Sequence, residues 1–424
     1  MHVVIVGNGV AGVTVARHLR KRDAQVRITL VSGESTYHYS RPALMYVYMG
    51  HLRFQDTKPY EDRFWTDNRI DLRRGWVERI DTSTRALVFR DGSTLTWDKL
   101  VLATGSTPNK WGWPGQDLDR VHGLYSLQDL ISLERITPLL RRAVIVGGGL
   151  IGLELAEMLH TRRVPVTMLV RESAYWNNVL PNEEAEMVTR AIRAEGIDLR
   201  LATQLDTIHD DGRGAAGAVT TQDGERIDCQ FVGLTAGVRP NLSALVGSPI
   251  ETGRGVLVDE QLRTNIPDVY AAGDCAEVVT AEGTYLQQVW YTGRFQGQVC
   301  AENVLGGRAV YTRRTWFNSA KFLDIEYQTY GQVPARPTEG VRHLWWEHRD
   351  GRQGLRVTHD GHRVLGFNTM GVRYRHEVCE AWIEQDTPLT EVLADLGRAN
   401  FDPEFQRRHE AEIAASFRRQ LEAS

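Results

Sequence analysis

Two glycine-rich turns are the residues of this sequence whose spacing points most directly to chemistry. They have the form Gly-x-Gly-x-x-Gly and consist of Gly7, Gly9 and Gly12, and of Gly147, Gly149 and Gly152. In such a turn the first glycine permits the bend, the second lets a pyrophosphate reach the backbone, and the third lets helix pack on strand. The following helix offers free N–H groups and its positive dipole end to the phosphates. The turns therefore predict two dinucleotide sites in one chain.

Each glycine turn lies where a strand passes into a helix. The elements around the turns are His2–Val6, a helical stretch to Arg22 and Arg27–Val31 for the first, and Ala143–Val146, a helical stretch to His160 and Val164–Val170 for the second. A lone glycine motif is weak evidence, but two copies in the required strand–helix–strand setting form an internal duplication. The sequence thus predicts an α/β protein with two Rossmann-like dinucleotide-binding domains.

The bulk composition fits a globular protein of more than one domain. A chain of 424 residues is too long for one compact core. Its formal net charge of −4 argues against a nucleic-acid partner. No apolar run reaches the ~20 residues that a membrane span needs, and the first strand begins without a charged leader, so we expect no signal peptide. Four scattered cysteines form no disulfide framework. We expect a reduced, cytoplasmic protein.

The residue that ends the second strand of each unit selects the ribose of its dinucleotide. In the first unit this position is Ser32, and the nearest acid, Glu34, is our candidate for the adenosine ribose; a solvated loop carboxylate is the alternative. In the second unit Val170 is followed by Arg171 and Glu172. Arg171 slightly favours a 2′-phosphate and hence NADPH, whereas Glu172 leaves NADH open. A solvated Arg171 is the alternative.

Further segments are rich in strand-forming residues. They are Arg85–Phe89, Thr94–Leu102, Ile227–Leu234 and, beyond about residue 312, Phe322–Tyr330, His343–Glu347 and Leu355–Thr358. The tail carries Phe405, Ile413, Phe417 and Leu421 at near-helical spacing, which predicts one apolar helix face. We expect that face to pack on its own domain; a subunit contact in a homodimer is the alternative.

Several motifs in a fixed order carry a family resemblance. They are the first glycine turn, Ala103-Thr104-Gly105, the second glycine turn followed by Glu154, and Ala271-Ala272-Gly273-Asp274. The chain resembles the FAD-dependent pyridine nucleotide-disulfide oxidoreductase superfamily over about residues 1 to 305. The resemblance implies an FAD-binding domain at 1–110 and 250–311, an inserted NAD(P)H-binding domain at 111–249, and a C-terminal interface-type α+β domain at 312–424. It also implies that Asp274 binds the ribityl or phosphate portion of FAD, with a helix N-cap as the other reading.

The position of the cysteines limits which branch of this superfamily the chain resembles. The disulfide reductases carry a redox-active thiol pair near the start of the FAD domain, whereas the first cysteine here is Cys229. This excludes lipoamide, glutathione and mercuric reductase chemistry as those families perform it. Cys275 directly follows Asp274, and we expect it to be a buried structural residue. The spacing of the cysteines predicts no metal site.

A second element resembles the thiol-free members of the superfamily. Tyr39-Ser40-Arg41-Pro42-Ala43-Leu44 is similar to the Arg-Pro-Pro-Leu element of ferredoxin and rubredoxin reductases, apoptosis-inducing-factor-like proteins and the flavin part of NAD(P)H nitrite reductases. In these relatives the arginine and proline lie along FAD, which implies the same roles for Arg41 and Pro42. The alternative is that the guanidinium of Arg41 lies on the protein surface and does not contact FAD.

We also include Gly237, which follows the second strand–helix–strand unit, among the candidate cofactor-binding residues.

The chain departs from its relatives beside the expected position of the flavin. Many relatives have a lysine two residues after the leucine of this element, paired with the glutamate that matches Glu154. Here that position is Tyr46. An unpaired buried carboxylate has a raised pKa, so we predict a raised pKa for Glu154. Tyr46 is our second candidate catalytic residue, as a hydrogen-bond donor to Glu154 or a neighbour of the isoalloxazine. Ordinary packing among neighbouring tyrosines is the alternative.

The helical segment that opens at Gln288-Val289-Trp290 completes the expected flavin site. In relatives this helix points its N-terminus at the pyrimidine edge of the flavin, where reduced flavin carries negative charge. Relatives often have glutamate and an aromatic residue where this chain has Gln288 and Val289. Val289 and Trp290 are our candidates for this contact, and a core tryptophan is the alternative.

The resemblance implies an FAD-dependent enzyme in which hydride passes from NAD(P)H to the flavin without a sulfur relay. Electrons then leave to a ferredoxin- or rubredoxin-type carrier, a step implied by family analogy alone. Three alternatives stay open: an NAD(P)H oxidase or quinone reductase, an NAD(P)H subunit of a nitrite-reductase-type system, and a redox-sensing interaction protein.

Overall fold

The computed structural model of this protein describes residues 1–336, 338–401, 404 and 407–423. Its helices are, in chain order, α1 (Val10–Arg22), α2 (Leu44–Tyr48), α3 (Arg63–Asp67), α4 (Leu127–Ile136), α5 (Leu150–Thr161), α6 (Asn182–Ala194), α7 (Trp290–Val304), α8 (His376–Glu384), α9 (Leu389–Ala394) and α10 (Glu410–Glu422). Across the described ranges, we find no helix with both the length and the apolar character of a membrane span.

The strands are distributed over several sheets. In chain order they are β1 (His2–Val6), β2 (Arg27–Ser32), β3 (Ile70–Arg74), β4 (Val77–Asp81), β5 (Ala86–Phe89), β6 (Thr94–Thr96), β7 (Lys99–Leu102), β8 (Ser106–Pro108), β9 (Ala143–Val146), β10 (Val166–Leu169), β11 (Asp198–Arg200), β12 (Leu205–Asp210), β13 (Ala216–Thr221), β14 (Arg226–Asp228), β15 (Phe231–Leu234), β16 (Val238–Pro240), β17 (Val256–Val258), β18 (Val269–Ala271), β19 (Ala276–Thr280), β20 (Gly283–Leu286), β21 (Phe317–Phe322), β22 (Ile325–Gly331), β23 (Arg342–Glu347), β24 (Gly354–His359) and β25 (Val364–Met370).

The chain divides into two compact units. The first comprises Met1–Asn109, Leu124–Ile136 and Gly237–Thr312, and the second comprises Lys110–Gly123, Thr137–Ala236 and Arg313–Ser424. The assignment of 1–110 with 250–311, 111–249 and 312–424 to three domains stays a prediction.

The first unit is built on a parallel sheet with the strand order β3-β2-β1-β7-β18. Val3, Val4 and Ile5 of β1 are fully buried, as expected for a strand covered on both faces. The connection from β1 through α1 to β2 is the strand–helix–strand unit predicted around the first glycine turn, and its bounds are confirmed within one residue. Helices α1 and α7 pack against each other beside this sheet.

Smaller sheets complete the first unit: β4-β5-β6, β17-β19-β20 and the pair β8-β16. The strand-rich stretch Thr94–Leu102 contributes to two of its sheets, since β6 belongs to the antiparallel sheet and β7 to the parallel one. The division occurs at Trp97 and Asp98, whose N–H groups donate to Arg85 and His2 respectively. The backbone thus changes its pairing partner between adjacent residues, which composition does not reveal.

The second unit repeats the dinucleotide-type topology. Its parallel sheet has the order β11-β10-β9-β15, and α5 connects β9 with β10. The four residues of β9 are buried. Two parallel sheets with the same β–α–β order confirm the predicted α/β class with two Rossmann-like dinucleotide-binding folds. The predicted segment Ile227–Leu234 also divides, into β14 of an antiparallel sheet and β15 of the parallel sheet.

The C-terminal part of the second unit is an antiparallel sheet, β21-β22-β25-β24-β23, with helices α8, α9 and α10. The apolar face of the tail is confirmed, because Ile413 and Phe417 are fully buried and Leu421 packs against the same core. Phe405 lies outside the described residues. The face packs on its own domain, as predicted, and a homodimer stays a prediction.

A buried ion pair joins α6 to this antiparallel sheet. Arg356 on β24 lies 2.7 Å from the Glu184 carboxylate and 2.6 Å from Glu183. The side chains of Arg356 and Glu184 are 4% and 0% exposed, and Asn368 donates a further hydrogen bond to Glu184. Burial raises the pKa of Glu184 even against the hydrogen bonds from Arg356. Glu184 therefore depends on its partners to remain ionised.

We expect Arg356→Met to lower the free energy of unfolding by about 3–5 kcal/mol at neutral pH, because it leaves Glu184 buried without a cation. The loss should shrink as the pH falls, since a carboxyl with a raised pKa in the folded state gains stability by taking up a proton. Urea denaturation at pH 7.5 and pH 5.5 measures both effects.

Arg373→Met is the matched control for this prediction. Arg373 forms a two-pronged pair with Glu326 whose side chains are 39% and 48% exposed, and exposed pairs contribute only about 0–1 kcal/mol. Equal destabilisation by the two variants would contradict the special role of the buried pair.

Candidate functional site

The first glycine turn has the geometry of a phosphate cradle. Gly7 has φ +115°, and a Cβ there would collide with the carbonyl oxygen of Ala103. A Cβ on Gly12 would collide with the carbonyl of Gly7, so the third glycine permits the close approach of α1 to β1. A Cβ on Gly9 would meet no atom within 4 Å. The position that should face a pyrophosphate is therefore open.

The helix behind this opening has an uncapped N-terminus. Gly9 is the N-cap of α1, and no side chain bonds the free N–H groups of its first turn. Uncapped N–H groups and the positive end of the helix dipole favour an anion. An open glycine in front of such a helix fits the pyrophosphate of a dinucleotide.

Glu34 and Arg41 are brought together by the loops that follow β2. The guanidinium forms two hydrogen bonds with the Glu34 carboxylate, at 3.1 and 2.8 Å, and the Tyr39 hydroxyl donates to the same carboxylate. Burial acts to raise the pKa of Glu34, but the hydrogen bonds from Arg41 hold it below its ordinary value. Arg41 also donates to the backbone carbonyl of Tyr125. That Glu34 binds the adenosine ribose and that Arg41 lies along FAD stay predictions.

Asp274 belongs to a polar network that the sequence motifs alone do not reveal. The Ser106 hydroxyl donates to Asp274 at 2.9 Å and accepts from the side-chain amide of Gln288 at 2.8 Å. Burial raises the pKa of Asp274. Asp274 precedes a strand, β19, instead of a helix, so the helix N-cap reading is wrong. That Asp274 binds the ribityl or phosphate portion of FAD stays a prediction.

The segment Ala103-Thr104-Gly105 lies between β7 and β8. The Ala103 N–H donates to the Val6 carbonyl, and the Thr104 hydroxyl donates to the Asn241 carbonyl. Gly105 has φ +68° and accepts a hydrogen bond from the Asn241 N–H. These contacts close the first unit around the glycine turn.

Three other glycine or proline candidates lie in tight backbone geometry. Gly273 has φ +84°, and a Cβ there would lie 2.7 Å from the Ala11 side chain on α1. Gly237 has φ +85° and accepts a hydrogen bond from the Asn109 N–H. Pro42 is exposed in a short 3-10 helix after Arg41. Their contacts to FAD stay predictions.

The helical segment predicted to open at Gln288-Val289-Trp290 is α7, whose first helical residue is Trp290. Val289 is its N-cap, and no side chain bonds the free N–H groups. Trp290 is 47% exposed, so the reading as a core tryptophan is wrong. An uncapped N-terminus suits the negative charge of a reduced flavin, and the contact itself stays a prediction.

The second glycine turn repeats the geometry of the first. Gly147 has φ +126°, and a Cβ on Gly152 would lie 2.5 Å from the Gly147 carbonyl oxygen. Gly149 is the N-cap of α5, which has no side-chain cap, and a Cβ there would meet nothing within 4 Å. The Tyr175 hydroxyl donates to the Gly149 carbonyl at 2.7 Å. The turn thus presents a second open helix N-terminus, of the kind that favours an anion.

The ribose-selecting residues follow β10. Val170 is buried, whereas the side chain of Arg171 is 72% exposed and pairs with Glu172 at 2.7 Å. A cation and an acid are therefore both present where the ribose of the second dinucleotide is expected. The geometry is compatible with either nicotinamide dinucleotide.

Glu154 lies on α5, two residues beyond the third glycine of the second turn. Burial, and then the Glu157 carboxylate one helical turn away, raise the pKa of Glu154 to about 7. Glu157 itself pairs with Lys321 at 3.1 Å. The predicted upward shift of the pKa is thus present, and this carboxyl can hold or release a proton near neutral pH.

Tyr46 lies on α2 and packs against the His51 ring, with centroids 6.2 Å apart and an interplanar angle of 30°. It is partly buried. Its predicted role beside Glu154 or the isoalloxazine stays a prediction.

Sequence reasoning missed the residues that support these candidates. Ser106 and Tyr125 are examples in the first unit, and Tyr175 and Lys321 in the second. Ser106 directly follows the Ala103–Gly105 motif, which was a usable signal. Tyr175 and Lys321 lie in no motif, and only the fold brings them to α5.

Comparison with protein families agrees with this geometry. The family described as "Pyridine nucleotide-disulphide oxidoreductase" matches residues 1–297. That range includes both glycine turns, Glu154, Asp274 and Trp290.

Curated relatives extend the match along the chain. The chain is 31% identical over 344 residues to the 5,5'-dehydrodivanillate O-demethylase ferredoxin reductase subunit of Sphingobium sp. (strain NBRC 103272 / SYK-6), covering 80% of this chain and 83% of the relative. It is 30% identical over 400 residues to the ferredoxin–NAD(+) reductase component of the p-cumate 2,3-dioxygenase system of Pseudomonas putida, covering 93% and 96%.

A solved structure shares the fold. The ferredoxin reductase for the CYP199A2 system from Rhodopseudomonas palustris superposes with a TM-score of 0.80 at 23% identity, covering 92% of this chain and 98% of that one. The chain therefore belongs to the pyridine nucleotide-disulphide oxidoreductase family, as an FAD-dependent NAD(P)H oxidoreductase of its ferredoxin reductase-like branch.

Proposed function

We propose that this chain takes hydride from NAD(P)H onto FAD and passes the electrons to a ferredoxin- or rubredoxin-type carrier protein. One observation carries the proposal: each of two glycine turns in one chain presents an open glycine in front of an uncapped helix N-terminus, at Gly9 and at Gly149. The relatives include proteins named as ferredoxin and rubredoxin reductases, which supports a carrier protein as the electron acceptor.

The protein contributes binding and electrostatics to this reaction. When bound, the nicotinamide donates hydride and the flavin accepts it, so that NAD(P)H and two oxidised one-electron carriers give NAD(P)⁺, two reduced carriers and a proton. The N-termini of α1 and α5 hold the pyrophosphates. The N-terminus of α7 stabilises negative charge on the flavin, and Glu154 holds a proton near neutral pH.

Anaerobic stopped-flow reduction with NADH and with NADPH tests the first half of the proposal. Mixing the reduced protein with a ferredoxin and with a rubredoxin tests the second half. If NAD(P)H bleached the flavin but neither carrier received electrons, the proposal that a carrier protein is the electron acceptor would be wrong. Rapid consumption of NAD(P)H in air without a carrier would indicate an oxidase instead.

We expect Gly149→Val to abolish reduction of the flavin by NAD(P)H while FAD stays bound. A Cβ at Gly149 meets no atom within 4 Å, so we expect the fold to tolerate the substitution, whereas the side chain occupies the space needed for the pyrophosphate. The flavin absorbance and its bleaching by NAD(P)H measure the two effects separately.

Gly9→Val is the matched variant, since its Cβ is equally free of protein atoms. It should give a folded, colourless protein, which circular dichroism and the absorbance spectrum detect. If Gly149→Val reduced the flavin at the normal rate, the second glycine turn would not be part of the NAD(P)H site.

We expect the rate of flavin reduction by NAD(P)H to follow a titration with a midpoint near pH 7, and Glu154→Gln to remove it. The cause is the pKa of about 7 that burial and the Glu157 carboxylate give to Glu154. Stopped-flow rates between pH 5.5 and 9 measure the profile.

Glu157→Gln is the control, because it removes the negative charge that raises the pKa of Glu154. It should move the midpoint to lower pH and leave the titration in place. If the pH dependence of flavin reduction were unchanged in Glu154→Gln, Glu154 would have no role in the reaction beyond supporting the fold.

We further propose that Arg171 binds a 2′-phosphate and so favours NADPH. Arg171→Ala should raise the KM for NADPH about tenfold, because a charge-assisted hydrogen bond to a phosphate is lost, with the KM for NADH changed less than twofold. Steady-state kinetics with both dinucleotides measure this, and equal effects on the two would contradict it.

A further inference from the structure

The carbonyl group of Gly149 makes a contact that the glycine motif does not explain. As the N-cap carbonyl of α5 it accepts hydrogen bonds from the backbone N–H groups of Gly152 and Leu153, at 3.1 and 3.3 Å. The Tyr175 hydroxyl donates a third hydrogen bond to the same oxygen at 2.7 Å, from 26 residues further along the chain. A distant side chain therefore fixes the direction of this carbonyl.

The direction of the carbonyl determines what the turn presents to a ligand. In a trans peptide the C=O and the N–H point in opposite directions. Holding the Gly149 carbonyl toward Tyr175 therefore points the Leu150 N–H the other way, out of the N-terminus of α5. The space at Gly149 is open, since a Cβ there would meet no atom within 4 Å. If the peptide rotated, its oxygen would face a bound pyrophosphate and repel it.

Tyr175 is itself held on several sides. Its side chain is fully buried, and its backbone N–H donates to the Thr189 hydroxyl on α6 at 3.1 Å. The Thr189 hydroxyl in turn donates to the Ala185 carbonyl. Burial, and then the Glu154 carboxylate, raise the pKa of Tyr175 well above its ordinary value. The hydroxyl therefore keeps its proton and remains a donor.

The C-terminal sheet packs against the segment that carries Tyr175. Phe322, the last residue of β21, lies edge to face with the rings of Tyr175 and Trp176, at centroid distances of 6.3 and 5.6 Å. Tyr327 on β22 meets the Trp176 ring in the same way at 6.2 Å. Trp176 has φ +56°, a conformation that a bulky residue keeps only where its surroundings impose it. The aromatic side chains of the sheet supply those surroundings.

We propose that Tyr175 is a positioning residue for NAD(P)H, and that Phe322 and Tyr327 of the C-terminal sheet hold it in place. Tyr175 acts through the Gly149 carbonyl, which it keeps turned away from the pyrophosphate. The proposal rests on the proposed function, which places the NAD(P)H pyrophosphate at the second glycine turn. The C-terminal sheet thereby contributes to dinucleotide binding through the residues that it supports.

Ordinary packing accounts for the ring of Tyr175 but not for its hydroxyl. A phenyl ring would fill the same buried space and would need no hydrogen-bond partner, whereas a buried hydroxyl without a partner is costly. The Gly149 carbonyl does not need the hydroxyl either, because two N–H groups of α5 already donate to it. The bond therefore orients the peptide and is not required to complete the helix.

Tyr175→Phe in the complete flavoprotein removes the hydroxyl and keeps the ring. We expect the dissociation constants for NAD⁺ and NADP⁺ to rise about fivefold, as the loss of one hydrogen bond predicts, and the limiting rate of flavin reduction at saturating NAD(P)H to change less than about twofold. Isothermal titration calorimetry and anaerobic stopped-flow measure the two effects. A lower limiting rate with unchanged dissociation constants would overturn the proposal, because Tyr175 would then act on hydride transfer.

Tyr330→Phe is the matched control. The Tyr330 side chain is also fully buried, and its hydroxyl also donates to a backbone carbonyl, that of Tyr374, at 3.1 Å. Its loss should lower the melting temperature, as Tyr175→Phe does, but leave both dissociation constants unchanged. An equal rise in the two variants would show a general effect of stability and would overturn the proposal. Unchanged constants in Tyr175→Phe would overturn it as well.

Phe322→Leu tests the contribution of the C-terminal sheet. It keeps an apolar side chain in the buried position and removes the aromatic contacts with Tyr175 and Trp176. The dissociation constants should rise in the same direction, and the double variant with Tyr175→Phe should bind no more weakly than Tyr175→Phe alone, since residues that act through one contact are not additive. Additive effects would overturn the role of the sheet. If Tyr175→Phe did not fold, unchanged constants in Phe322→Leu would overturn the proposal.

Failure of the proposed function would give a different result. If the unaltered flavoprotein bound neither NAD⁺ nor NADP⁺ and its flavin were not reduced by NAD(P)H, the proposed function would be wrong, and the role of Tyr175 with it. If the unaltered protein bound the dinucleotides and its flavin were reduced, but Tyr175→Phe bound them equally well, only the role of Tyr175 would be wrong.

Discussion

The close approach of a helix to a strand at each glycine turn is the constraint on which the rest of the structure depends. A side chain on Gly12 or Gly152 would strike the carbonyl of the first glycine of its own turn. Only with that side chain absent can α1 and α5 place their N-terminal N–H groups at the carboxyl edges of the parallel sheets. Uncapped helix N-termini favour anions, so a steric condition at two glycines makes both proposed dinucleotide sites possible.

The same constraint explains why so much of the fold was predictable from the sequence. A turn of six residues between an apolar strand and a helix encodes its geometry locally, and the bounds of β1, α1 and β9 follow from it. The pairings that complete the site connect residues far apart in the chain. Ser106 joins Asp274 and Gln288 across 168 and 182 residues, and Arg356 reaches Glu184 across 172. A motif can draw attention to one residue such as Ser106, but one sequence does not show which distant residue it pairs with.

Electrostatic balance on α5 illustrates a second limit of prediction. The replacement of the usual lysine by Tyr46 correctly indicated a raised pKa for Glu154. It did not indicate that a carboxylate one turn later, Glu157, adds to the shift, or that Lys321 of β21 pairs with that carboxylate. The helix thus carries two acids in different surroundings: Glu157 has an ammonium partner in Lys321, and Glu154 has a pKa raised to about 7.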